Sequence, residues 1–68
     1  MRILYEDDHK NLVAMECSSI GAVNDGDGWY VVVAEVGVSD GHIVRSGLSE
    51  ADAKRIVRVL FDTGRFCP

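Results

Sequence analysis

The sequence predicts an α+β fold: an antiparallel β-meander of about four strands with one C-terminal amphipathic helix packed on one face. Three observations carry this. Trp29 to Val38 is a nearly unbroken apolar run of β-prone residues, turn clusters bracket it at Asn24–Gly28 and Ser39–Gly41, and a capped stretch of helical periodicity follows from Ser49. With 68 residues and 7.4 kDa the chain has room for a single domain, residues 1–68. Its apolar content of 47% is that of a folded protein.

Arg2 to Glu6 is a short strand ended by the polar cluster Asp7-Asp8-His9-Lys10-Asn11, which reverses the chain. Leu12 to Val23 resumes the apolar content without clean alternation, so its periodicity fits a helix as well as a strand. Gly21 favours a strand bent or bulged near Ser18 to Gly21, because a bulge tolerates glycine where a helix must continue. Asn24-Asp25-Gly26-Asp27-Gly28 is the strongest turn, built from residues that reach positive φ at low cost, and joins two strands into a hairpin. Beyond it Tyr30, Val32, Ala34, Val36 and Val38 form one apolar face. Trp29, Val31 and Val33 make the other face apolar until Glu35 and Gly37, and a strand of this kind is expected to be central and covered on both sides. His42 to Ser46 returns as a short strand.

Ser49 is placed as helix N-cap, with Asp52 where a capping box usually has Glu or Gln. Glu50 and Asp52 complement the positive end of the dipole, and Lys54, Arg55 and Arg58 follow toward the negative end. Ala53, Ile56, Val57, Leu60 and Phe61 recur as one buried stripe, and Gly64 closes the helix.

The net charge of −4 disfavours phosphate-backbone binding and suits a basic partner. Cys17 and Cys67 lie about fifty positions apart, and the acidic turn after Met1-Arg2-Ile3-Leu4-Tyr5 is unlike a secretory leader, which points to reduced thiols in a cytoplasmic protein. No stretch approaches the ~20 apolar residues of a membrane span.

Candidate chemistry is sparse. Asp25 and Asp27 could begin a calcium loop, but Trp29-Tyr30-Val31 stands where further oxygen donors are needed, so a hairpin turn is the better reading. Asp7, Asp8, His9, Cys17, His42 and Cys67 hold the atoms of a metal site without the paired spacing of one, so no metal or cofactor is expected. Ser18, Ser19, Ser39, Ser46 and Ser49 fall in turn, bulge or cap contexts, and no Gly-rich loop leads from a strand into a helix. No catalytic residue is assigned; an enzyme requires folding to assemble His9, His42 and a cysteine. The basic residues Lys54, Arg55, Arg58 and Arg65 are explained by the helix dipole and by pairing of Glu50 with Lys54 and Arg58 with Asp62, with a patch for phosphate or an acidic partner as the alternative.

What remains is an apolar excess. The Ile56, Val57, Leu60 stripe is expected on the Tyr30, Val32, Ala34, Val36, Val38 face, which leaves Trp29, Val31 and Val33 uncovered unless Leu12 to Val23 folds over them. Large apolar patches mark partner surfaces, so Trp29, Tyr30, Val31 and Val33 are the expected protein interface, serving a homodimer or another protein. The alternative is a nucleic-acid-binding module that stacks bases on Trp29 and Tyr30 and holds phosphates with Arg55 and Arg58.

The order of short strands, Gly-rich hairpin, apolar strand and then Leu48-Ser49-Glu50-Ala51-Asp52-Ala53-Lys54 opening a terminal helix resembles many small bacterial and phage proteins of uncharacterised role. The resemblance implies a phage or bacterial accessory protein, an inhibitor or adaptor acting by binding, and carries over no functional residue.

Overall fold

A computed structural model describes residues 1–67. The order of elements is β1 (Arg2–Glu6), β2 (Leu12–Asn24), β3 (Trp29–Glu35), β4 (Gly41–Leu48), α1 (Glu50–Thr63) and β5 (Arg65–Phe66). The strands form one sheet in the order β4-β3-β2-β1-β5. The first four are antiparallel neighbours, as expected. The two-residue β5 then returns after the helix and pairs parallel to β1, Leu4 with Arg65 and Tyr5 with Phe66, so the sheet is mixed rather than a plain meander. Gly64 favours that return: its φ is 73°, and a Cβ there would crowd the Arg2 carbonyl oxygen at 3.1 Å, so a side chain at this position is strained.

β2 is the long element, 13 residues, and serves two partners in turn. Its first half pairs with β1, Arg2 opposite Glu16 through Glu6 opposite Leu12. Its second half pairs with β3, Ser19 opposite Ala34 through Asn24 opposite Trp29, and the register shifts between Cys17 and Ser19. The bulge is where the sequence placed it. An extra residue bends the strand and sharpens its twist, so the sheet curls and side chains from both halves of β2 meet in one core.

That core consists of Ile3, Tyr5, Met15, Cys17, Val31, Val33, Val44, Ala53, Ile56 and Leu60, with Val13, Ile20, Ala22, Trp29, Leu48, Val57 and Phe66 packed around it. The helix supplies Ala53, Ile56 and Leu60 at the three-to-four spacing of a single stripe. Ser49 caps it, its hydroxyl accepting from the Asp52 N–H at 3.1 Å. The N–H of Gly64 donates back to the Leu60 carbonyl at 2.9 Å.

Two expectations about β3 need correction. The strand ends at Glu35, and Val36 and Val38 belong to the following turn, 55% and 44% exposed, where Gly37 takes a φ of 80°. The covered face is also the opposite one. Val31 and Val33 are 0% exposed and lie in the core beneath α1, while Tyr30, Val32 and Ala34 point outward. The reason lies in β2: the hairpin register puts Ala22 beside Val31 and Ile20 beside Val33, but Gly21 beside Val32 and Ser19 beside Ala34. Helix cover goes to the side where both strands are apolar.

A polar clasp joins β4 to the β1–β2 turn across 38 residues of sequence. Asp8 Oδ2 accepts from the Ser46 backbone N–H at 3.0 Å and from its hydroxyl at 2.6 Å. Arg45 donates from Nη2 to the Glu6 carbonyl at 2.8 Å, and its guanidinium lies 5.1 Å from the centre of the Phe66 ring. Its Nε is 3.3 Å from Asp8 Oδ1, a charge contact without hydrogen-bond alignment. The turn itself is wound on Asp7, whose Oδ1 accepts from the backbone N–H groups of His9 and Asn11, both at 2.9 Å. These bonds, the one from Asn11 foremost, hold the Asp7 carboxyl below its ordinary pKa.

Candidate functional site

β3 is flanked by β2 and β4, and its outward residues set the outer face of this part of the sheet. The cross-strand rows are Ser19–Ala34–Gly41, then Gly21–Val32–Ile43, then Val23–Tyr30. No residue of these rows carries a charge. Ile43 is 53% exposed and Val23 37%, while Tyr30, Val32 and Ala34 are half-buried. A Cβ added at Gly21 would meet nothing within 4 Å, so the strip has a shallow trough beside Val32. A glycine inside a strand is a common mark of a place where another chain comes close.

Both ends of the strip are turns that carry aspartates. At one end Asp25 Oδ1 accepts from the backbone N–H groups of Asp27 and Gly28, each at 3.0 Å, and so shapes the β2–β3 hairpin. At the other end Asp40 precedes Gly41. Asp27 and Asp40 form no ion pair among the described residues. The free edge of β4 is less inviting than the face: it carries two register irregularities, and the Ser46 N–H is already bonded to Asp8.

The residues expected to form an interface are therefore split. Tyr30 lies on the outer strip. Val31 and Val33 are sealed in the core, and Trp29 is half-buried on the inner side, with Lys54 Nζ 5.9 Å from its ring centre. That placement removes Trp29 as a stacking platform beside Tyr30, since the two rings lie on opposite faces. Sequence reading missed Ile43 and Val23; the signal that finds them is the hairpin register, which sets Val23 against Tyr30.

A second apolar surface is an open groove of about 500 Å³ at the β2 bulge, lined by Met1, Cys17, Ile20, Val36 and Phe61 among others. Of its two serines, Ser18 and Ser19, Ser18 donates to the Ala34 carbonyl at 3.3 Å. The groove offers apolar walls and no acid–base pair.

Three of the four basic residues come together: Lys54, Arg55 and Arg58, with Ala51, line an open concavity of about 300 Å³ on the helix surface. Lys54 pairs with Glu50 at 3.4 Å and Arg55 with Asp52 at 3.0 Å, both within the helix. The expected Arg58–Asp62 pair is not formed among the described residues, and Arg65 opens β5, apart from the helix face. Of the groups considered for metal or catalysis, Asp7, Asp8 and His9 belong to the β1–β2 turn, which docks at Ser46 on β4. His42 is nearer the other end of that strand, its Nε2 3.5 Å from Glu35 Oε1. Cys17 is buried, Cys67 is exposed, and neither is in a disulfide. No group of three or more His, Cys, Asp or Glu is placed to hold a metal among the described residues, and no described helix is long and apolar enough to cross a membrane.

The class these features define is a small α+β protein with an uncharged, largely apolar strip across the β2–β4 part of its outer sheet face. No protein-family model matches the chain, and neither a curated protein nor a solved structure matches it.

Proposed function

We propose that this chain is a non-catalytic protein-interaction module that docks a partner through the outer face of β2, β3 and β4. The observation that carries the reading is the uncharged row pattern around Tyr30, Val32 and Ile43, which leaves apolar side chains facing solvent on a chain too small to cover them itself. Tyr30 is the natural anchor, since aromatic side chains dominate interface energetics. An acidic inhibitor or adaptor acting in the cytoplasm of a bacterium or phage-infected cell fits the net charge of −4. The nucleic-acid alternative loses support with Trp29 turned inward and two of the helix cations paired.

The test is site-directed photo-crosslinking in the source cells, with the photoreactive residue at Ile43, Phe61 or Arg58. The expected outcome is a discrete protein adduct from position 43 that Val32→Lys abolishes without changing the circular dichroism spectrum. Adducts from position 61 alone would move the docking site to the groove, and no adduct from any position refutes the interaction reading.

A further inference from the structure

We infer that the occupant of the outer strip is a basic-ended amphipathic helix of a partner protein: one apolar stripe, with Lys or Arg at both ends. The inference rests on the docking reading above and adds the chemistry of the partner. Size comes first. The strip is as long as β3, seven residues, or about 23 Å at ~3.3 Å per residue. Three strands at ~4.8 Å spacing make it about 14 Å wide. A helix is ~10 Å across and rises ~1.5 Å per residue, so one of about fifteen residues fills the strip. On the inner side the same sheet is already covered by a helix of 14 residues, α1.

Charge decides the rest. The middle of the strip is uncharged, and the carboxylates of Asp25 and Asp27 at one end and Asp40 at the other bracket it. Asp27 and Asp40 have no ion-pair partner among the described residues, so each end offers an acceptor for a cation. A second copy of this chain is the wrong occupant on charge. Two strips laid face to face, in either direction, bring aspartates against aspartates. A single helix with cationic ends gains contacts at the centre and at both turns.

The experiment is a titration of isotope-labelled protein, followed by amide chemical shifts, with three synthetic fifteen-residue peptides. The first has a leucine stripe and lysine ends, the second the same stripe with glutamate ends, and the third lysine ends with the stripe scrambled. The expected result is binding by the first peptide alone, with shifts at Tyr30, Val32 and Ile43 and none at Arg58. Combining Asp25→Asn, Asp27→Asn and Asp40→Asn should weaken binding about tenfold, as loss of three exposed ion pairs does, and remove its salt dependence. Asn at position 25 keeps the oxygen that shapes the turn, so the fold is preserved. Equal binding by the glutamate-ended peptide, or by the scrambled one, overturns the basic-ended helix. So does a protein that crosslinks a partner at position 43 yet binds none of the peptides, a result that leaves the interaction reading standing. Concentration-dependent shifts of the strip without peptide would assign it to a second copy and overturn the inference too.

Discussion

Replacing Arg45 by methionine should open the clasp between β4 and the β1–β2 turn while leaving the core filled. The side chain is a quarter exposed and holds three contacts: the Glu6 carbonyl at 2.8 Å, the Asp8 carboxylate at 3.3 Å and the Phe66 ring at 5.1 Å. A hydrogen bond from a charged donor is worth about 1.5–3 kcal/mol. The ion pair, with Asp8 a third exposed, adds only ~0.5 kcal/mol, and the cation–ring contact a similar ~0.5 kcal/mol. Methionine retains an apolar stem over Phe66, so part of the packing survives. The expected net loss is about 2 kcal/mol, which in a domain of this size lowers Tm by roughly 10 °C. Asp8→Asn keeps an oxygen for Ser46 and loses the charge, so its cost should be near ~0.5 kcal/mol. Thermal melts by circular dichroism, with urea titrations to give free energies, measure both variants. An Arg45→Met protein within about 0.5 kcal/mol of the parent would show that core packing alone holds the curled sheet, and would refute the assignment of stability to the clasp.

Two further effects follow from single residues. Lys10 has a φ of 65°, a left-handed conformation that costs a side-chain-bearing residue about 1 kcal/mol, so Lys10→Gly should raise stability by ~0.5 kcal/mol in urea titrations after the added flexibility of glycine is counted. Tyr5 is 2% exposed, and burial, aided by the charges of Asp7 and Glu35, pushes its phenol above the ordinary value near 10. The folded state thus favours the neutral phenol. Its contribution is complete below the unfolded pKa and is lost as pH rises through the folded one, so Tyr5→Phe should remain folded to higher pH in an alkaline titration followed by circular dichroism.

Much of this architecture was legible in the residues themselves. Turn chemistry located the β2–β3 hairpin, Gly21 and the broken alternation located the β2 bulge, and Ser49 and Gly64 marked the two ends of α1. The orientation of β3 was harder because that strand is apolar on both sides and has no periodicity of its own to read. The information sits in its neighbour: counting back from the Asn24–Trp29 pair sets Ser19 and Gly21 against Ala34 and Val32, and the helix belongs on the other side. The clasp was out of reach for a different reason. Arg45 and Asp8 are joined only by the curl of the sheet, and no local pattern encodes a contact across that many residues. β5 was hidden likewise, since two residues are too few for a period and their strand character comes from the β1 edge they meet.

The bulged β2 has a consequence for how the molecule comes apart. Because one strand supplies an edge to β1 through its first half and to β3 through its second, neither half-sheet owns a complete set of backbone partners. The core draws residues from both halves and from the helix, so there is no subset of elements that buries its own apolar surface. Opening at either side exposes the other, and a fragment cut within β2 leaves two pieces with unpaired edges rather than one smaller domain. Unfolding is expected to be a single all-or-none event, with hydrogen exchange slowest along β2, where the two halves of the sheet are tied together.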